Sequence, residues 1–293
     1  MSSIGERYLA YINHPPPRKL DLATLCSLLA AHQQAIPFEN VTSFLGEPVS
    51  LEPEVLYAKL LGGRGGYCME HQALSYAALQ SLGYKCELVL ARVYVGPGSD
   101  RPLAQTHGGV IVTIGEHEYL YDCGFGKDTP RIPLCITSGD EVQLVERAGR
   151  TWEYRIVEPE SVREQLGRKM GCDAVTIIEM RMDGEWKPMY GLTRRPVEEV
   201  DIDAFNWYIS TCPASFFTTK LCVARQVGDA LVTGFARDFK RREGESVVDA
   251  QANSVEDVDF WLRKQMKLDL SDEQIARVWD KLKTLEHEET DQL

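Results

Sequence analysis

No stretch of this sequence approaches the roughly 20 apolar residues that a membrane-spanning helix requires. The first residues, Met1-Ser2-Ser3-Ile4-Gly5-Glu6-Arg7, lack the basic-then-apolar order of a secretory leader. A cytoplasmic chain with no membrane partner is therefore expected. None of the eight cysteines stands in a C-x-x-C pair, which argues against zinc ribbons and thioredoxin-type redox motifs. In a reducing compartment they are expected to be thiols. No His/Cys spacing resembles a zinc site, so no metal is expected. Basic residues are scarce: 32 Lys and Arg against 44 Asp and Glu leave a net charge of −12. That sign disfavours nucleic acid and anionic membranes. Part of it lies in the last stretch, 286–291, read as a frayed, solvated end. Internal repeats and low-complexity segments are absent too.

What is present is ordinary globular composition, 44% hydrophobic and 26% charged over 293 residues, enough for two domains or three small lobes. Three textures divide the chain. Residues 1–84 read as helices. Leu22, Leu25, Cys26 and Leu29 form one helical face behind a possible Asp21 cap. A second helix is expected from Pro53 to Leu61, and a third from Cys68 to Leu82, stopped by Gly83. Residues 85–195 read as strands, at 86–95, 108–114, 118–122, 151–157 and 174–182, with turn signals at Ser138-Gly139-Asp140 and Asp183-Gly184. Residues 196–293 are mixed, with an aromatic-rich piece, a strand or two around Leu221–Phe235, and C-terminal helices. Ser271-Asp272-Glu273-Gln274 has capping-box spacing ahead of a core face formed by Ile275, Val278, Trp279 and Leu282.

The segment Gly62-Gly63-Arg64-Gly65-Gly66-Tyr67-Cys68-Met69-Glu70-His71 is the most informative. Its glycines place a kink before a helix that begins with a cysteine. The unsatisfied N–H groups and the dipole of a helix start favour thiolate, and the same N–H groups suit an oxyanion on an attached acyl carbon. A phosphate loop is excluded, because no Lys-Ser or Lys-Thr follows the glycines and no G-x-G-x-x-G follows a strand.

A hairpin supplies the second element. Gly108 to Ile114 and His117 to Asp122 flank Gly115-Glu116, and Gly first in a two-residue turn suits type II′. With Ile114 opposite His117, paired residue numbers sum to 231. His107 and Asp122 then share a face within hydrogen-bond reach, and Cys123 points the other way. A three-residue turn would put the pair on opposite faces. An imidazole held by a carboxylate, with a thiol to receive its base, is the logic of a nucleophilic triad. Without Cys68, the same pair also reads as a structural strand-end contact. Of the other histidines, His71 lies one turn into the Cys68 helix and supports that end. His117 at the hairpin tip and His14 among prolines are expected to be exposed, and His32 and His287 to lie on helix surfaces.

These residues resemble a known family. Arg64 to Glu70 is similar to the R-G-G-x-C-x-E signature of arylamine N-acetyltransferases. Thr106-His107 and Asp122-Cys123-Gly124-Phe125-Gly126 resemble that family's histidine and D-x-G-F-G segments. Pro37-Phe38-Glu39-Asn40 resembles its P-F-E-N motif, and Phe205-Asn206-Trp207-Tyr208 its N-x-Y segment. The matches run in order over about residues 8 to 235.

The resemblance implies an α+β multidomain fold with a cysteine-protease/transglutaminase-like core. It would comprise a helical domain (1–84) with the nucleophile, a β-barrel domain (85–195) with His and Asp, and an α/β lid (196–293). It implies a catalytic triad of Cys68, His107 and Asp122. Ping-pong transfer would carry an acetyl group, or a propionyl or malonyl group, from acyl-CoA through a Cys68 thioester to an aromatic amine, hydrazine or arylhydroxylamine, in xenobiotic metabolism. Phe38 and Phe125 would line the acceptor cleft. Thr106 and Tyr208 would contact coenzyme A, with Lys127, Arg64 or Lys220 for its phosphates. A monomer or weak homodimer is expected. Met69 and Gln72 depart from the usual aromatic and Asn, and the 127–204 stretch is long, closer to vertebrate or fungal forms. The rivals are a thiol hydrolase or transglutaminase-like enzyme, a carrier-dependent amide synthase, and a non-enzymatic descendant.

Overall fold

A computed structural model describes residues 2–95, 101–147, 150–195 and 197–290, with side chains as far as residue 285; the side chains of the acidic end at 286–291, His287 among them, lie outside what is described.

The first region holds helices α1 (Ile4–Tyr11), α2 (Leu22–Ala35), α3 (Val41–Phe44), α4 (Pro53–Leu60) and α5 (Cys68–Ser81), and a short strand β1 (Phe38–Glu39). Asp21 accepts from the Thr24 N–H at 3.0 Å and so caps α2. Pro53 opens α4, where its missing N–H costs nothing. Helix α1 was not foreseen; its Ser3–Glu6 capping box begins one residue before Ile4. The apolar faces of α1, α2 and α5 meet the outer face of the barrel at Val110, Val112 and Tyr119.

The second region supplies β2 (Lys85–Val93), β3 (Gln105–Ile114), β4 (His117–Tyr121), β5 (Leu134–Cys135), β6 (Gln143–Arg147), β7 (Arg150–Val157), helix α6 (Pro159–Leu166), β8 (Thr176–Met182) and β9 (Glu185–Thr193). Strands β6 and β9 and helix α6 are additions to the sequence reading. The eight strands form one antiparallel sheet in the order β5-β4-β3-β2-β9-β8-β7-β6. The sheet curls until its edges meet: the Gln143 side chain of β6 accepts from the Cys135 N–H of β5 at 2.7 Å and donates to the Cys135 carbonyl at 2.8 Å. The fold is thus α+β around a nearly closed barrel. Its interior is filled by Val89, Ile111, Leu134, Tyr154, Ile178 and Tyr190, among others.

The third region begins with α7 (Glu199–Thr211) and α8 (Phe216–Thr219) and continues as β10 (Cys222–Val227), β11 (Ala230–Phe235), β12 (Asp238–Glu243) and β13 (Ser246–Gln251). Four strands stand where one or two were expected, because β12 (Asp-Phe-Lys-Arg-Arg-Glu) has only one apolar residue and half-exposed edges read as loop. They form a second sheet, β1-β10-β11-β12-β13, in which β1 from the first region pairs with β10. Helices α9 (Val255–Asp259) and α10 (Asp272–Thr290) cover it. Ser271 and Gln274 make the expected capping box, at 3.0 and 3.1 Å. Ile275, Val278 and Leu282 are buried, each worth about 1.5–3 kcal/mol.

Candidate active site

The turn between β3 and β4 is the two-residue turn expected. Ile114 pairs with His117 and Val110 with Tyr121, and of Gly115 and Glu116 only Gly115 has a positive φ, +62°. The period-two alternation therefore puts His107 and Asp122 on one face, and Asp122 Oδ2 lies 2.8 Å from His107 Nε2. Both are almost fully buried. Cys123 turns to the other side, into the helical core with Tyr8 and Tyr121.

Opposite His107 the ladder slips. Ala91 pairs with His107 but Arg92 with Gln105, leaving Thr106 as an extra residue in β3. A bulge frees backbone groups from the ladder and re-aims them. Here the Thr106 carbonyl accepts from Cys68 Sγ at 3.3 Å. Cys68, the first residue of α5, is thereby fixed against the residue that precedes His107. The loop after Asp122 closes on the same point, where a Cβ added to Gly124 would stand 2.9 Å from Cys68 Cα and 3.0 Å from His71 Cβ. Only glycine permits that approach.

The glycines before α5 serve a second approach. Gly66 bridges Phe38, with the Glu39 N–H donating to the Gly66 carbonyl at 2.8 Å, and a Cβ on Gly65 would overlap the Pro37 carbonyl oxygen. Beneath this join lie two buried carboxylates and two cations. Arg64 donates to Glu39 at 2.8 Å and Lys59 to Glu70 at 2.7 Å. Glu70 also accepts the Tyr67 N–H at 3.0 Å and so fixes the start of the helix. Arg64 is thus spoken for by Glu39, which removes it as a phosphate ligand.

Asp122 is a carboxylate despite its burial. Burial pushes its carboxyl up, but the His107 imidazole, the Gly124 N–H at 2.9 Å and the Tyr190 hydroxyl at 2.8 Å outweigh that and hold it below the usual range. The thiol behaves otherwise. Burial pushes Cys68 up, the charge of Asp122 adds to this, and the Met69 and Cys68 N–H groups only partly offset them. The expected amide donors are in place, but desolvation outweighs the helix start. The start of α5 alone therefore leaves the Cys68 thiol raised.

Phe125 packs edge-on against His107 with centroids 4.8 Å apart and tilted against Tyr190 at 4.7 Å. Phe38 is buried in the cluster that holds Cys68 and Met69, parallel to His71 at 6.3 Å and tilted against Phe217 at 6.2 Å. Thr106 contributes its carbonyl. Tyr208 is 46% exposed on the outer face of α7, beside Trp207. Gln72 lies fully within the fold and donates to the Val89 and Gly109 carbonyls at 2.9 and 2.8 Å, tying α5 to β2 and β3.

Several residues have roles that the sequence reading did not assign, although Asn40 and Asn206 stand in its quoted motifs. Tyr190, on β9, holds Asp122 and packs edge-on against His107 at 4.9 Å; no motif marks it. Asn40 donates to the Phe217 and Lys220 carbonyls, both at 2.8 Å, and accepts the Cys222 N–H at 2.7 Å. Asn206 accepts from the Tyr67 hydroxyl and donates to the Val49 carbonyl at 2.8 Å. These asparagines join the third region to the first. His32, expected on a helix surface, is instead fully buried: its Nδ1 meets the Tyr8 hydroxyl at 2.9 Å and its Nε2 meets His71 Nδ1 at 2.8 Å.

Comparison with known proteins agrees with this arrangement. A family model described as N-acetyltransferase matches residues 21–275. An arylamine N-acetyltransferase of Mycolicibacterium smegmatis is 37% identical over 228 residues, 76% of each chain. Arylamine N-acetyltransferase 1 of Homo sapiens is 26% identical over 292 residues, 96% of this chain and 99% of that one. Among solved structures, the Mycobacterium marinum arylamine N-acetyltransferase in complex with CoA superposes with a TM-score of 0.79 at 28% identity, over 93% of this chain and 97% of that one.

Proposed function

The chain belongs to the arylamine N-acetyltransferase family, and from that premise we propose that Cys68, His107 and Asp122 form a catalytic triad for acyl transfer from acetyl-CoA to an aromatic amine. The observation that carries the proposal is the buried Asp122–His107 hydrogen bond set beside a cysteine that is itself bonded to the carbonyl preceding that histidine. Asp122 orients the imidazole and balances its charge when protonated. Because burial keeps the Cys68 proton in place, His107 removes it as sulfur attacks the acyl carbon. The bond to the CoA sulfur breaks, and His107 returns the proton to the departing thiolate. An amine then attacks the Cys68 thioester and passes a proton to His107. Collapse forms the amide and expels the Cys68 sulfur, which recovers the proton. The Met69 and Cys68 amides near the sulfur would receive the transient oxyanion.

Under this reading Phe125 and Phe38 border the acceptor side, and Thr106 and the exposed Tyr208 border the CoA side. Residues 1–84, 85–195 and 196–293 serve as nucleophile, histidine–aspartate and lid units on a cysteine-protease-like core. We extend the donor to propionyl- or malonyl-CoA, the setting to xenobiotic metabolism in the cytoplasm, and the assembly to a monomer or weak dimer. The test is intact-protein mass after incubation with each acyl-CoA and no amine. One acyl mass gained by wild type and not by Cys68→Ala is expected. No gain with any donor, from a folded sample, would point to a hydrolase or a carrier-protein donor.

A further inference from the structure

A cleft outside the motifs of the sequence is lined from both sheets by Arg131, Arg147, Arg150, Trp152 and Arg242, with one carboxylate, the exposed Asp229. Arg147 and Arg150 are directly opposite each other across β6 and β7, where like charges are destabilising. Arg131 is 7% exposed. Its Nη1 donates to Gln33 at 3.3 Å and its Nη2 to the Lys127 carbonyl at 3.5 Å, while its buried Nε has no partner. Arg131 and Arg150 both lie over the Trp152 ring, at 5.5 and 4.9 Å. Among the described residues none of the four arginines forms an ion pair. In a chain of net charge −12, four guanidiniums thus converge against one lining carboxylate, Asp229, and the charge of Asp128 felt by Arg131. Burial and their mutual repulsion hold Arg131 and Arg150 below the usual guanidinium range.

We propose that the mouth of this cleft binds a phosphate-bearing anion, held by the guanidiniums of Arg147, Arg150 and Arg242 with the charge of Arg131 behind them. Planar forks of N–H donors match phosphate oxygens, and a group with two or more negative charges offsets a cluster that a single carboxylate does not. A local arrangement that costs stability in the empty protein is what a ligand site leaves in a sequence. Two sources share this chemistry: the nucleotide phosphates of the acyl donor, and a free phosphorylated metabolite. The inference does not rest on the acyl-transfer reading, because binding is measured without turnover.

The test titrates the full chain with pyrophosphate at constant ionic strength, followed by calorimetry, Trp fluorescence and melting temperature. Saturable binding that raises the melting temperature is expected. The Arg147→Gln/Arg150→Gln double variant should weaken it by about a hundredfold, the loss of two charge-assisted contacts, and should melt higher than wild type in anion-free buffer. Should that variant fail to fold, Arg242→Gln, on a separate strand, should weaken binding about tenfold. Competition by CoA but not by pantetheine identifies the donor's phosphates as the occupant, and pyrophosphate binding that CoA leaves untouched identifies a free phosphate compound. Wild type indifferent to pyrophosphate, or folded variants that bind it equally, would overturn the proposal.

Discussion

Acidification between about pH 6.5 and 4 should destabilise this protein through one buried chain of hydrogen bonds. His71 Nε2 faces the Pro37 carbonyl at 3.2 Å, which only accepts, so His71 carries its proton on Nε2. Its Nδ1 must then accept from His32 Nε2, and His32 Nδ1 from the Tyr8 hydroxyl. The Tyr8 oxygen is left to accept from Tyr121, at 3.2 Å. Every group has one direction, and both imidazoles are neutral. Burial lowers His71 to about 4, the charge of Asp122 and the Pro37 carbonyl offsetting only part of this, and burial with the neighbouring His71 lowers His32 well below its usual value. Between an unfolded value near 6.5 and the folded one, the unfolded chain binds more protons, so stability falls as pH falls. For His71 alone this amounts to roughly 3 kcal/mol, at about 1.4 kcal/mol per pH step. Glu70 works the other way, its carboxyl raised by burial although Lys59 opposes this, so the informative quantity is a difference. Urea unfolding at several pH values between 7.5 and 4 should give wild type a steeper loss than His71→Gln, which keeps a donor for Pro37 and an acceptor for His32. Equal slopes for the two proteins would refute the reasoning.

Gly124→Ala should cost about 1–3 kcal/mol by overpacking and about a hundredfold in transfer rate, because the clash is with Cys68 Cα and displaces the sulfur; a melt and a Cys68 alkylation rate check both. Asn40→Ala removes the bonds to the Lys220 carbonyl and the Cys222 N–H and leaves the Phe217 carbonyl with its 3.3 Å bond from the Ser43 hydroxyl, and should cost about 2–4 kcal/mol, read by denaturant midpoint with the slope unchanged. Tyr190→Phe removes one of three donors to Asp122. It should raise that carboxyl and slow transfer about tenfold, with a pH–rate profile separating this from mere loss of fold.

Much of the site was legible because its rules are local. Side chains alternate strictly along a strand, so the Gly115 turn length sufficed to place His107 beside Asp122 and to turn Cys123 away. The Asp21 cap and the Ser271–Gln274 box were equally readable, since each is closed within four residues. The start of α5 at Cys68 followed from the glycines and the helical run.

Tertiary structure decided what depends on distant surfaces meeting. His32 reads as a surface residue from α2 alone, and it becomes core only because α5 and α1 bring His71 and Tyr8 to it. Tyr190 reaches Asp122 from a strand 68 residues away. The Thr106 bulge arises from pairing with β2, not from any signal in β3. The upward push of burial on the Cys68 thiol was likewise beyond the sequence, which counts the N–H groups at a helix start but not the water that folding removes. Local geometry is written in period, cap and turn; burial is a property of the assembled whole, and here burial pushes the Cys68 thiol up against the pull of the helix start.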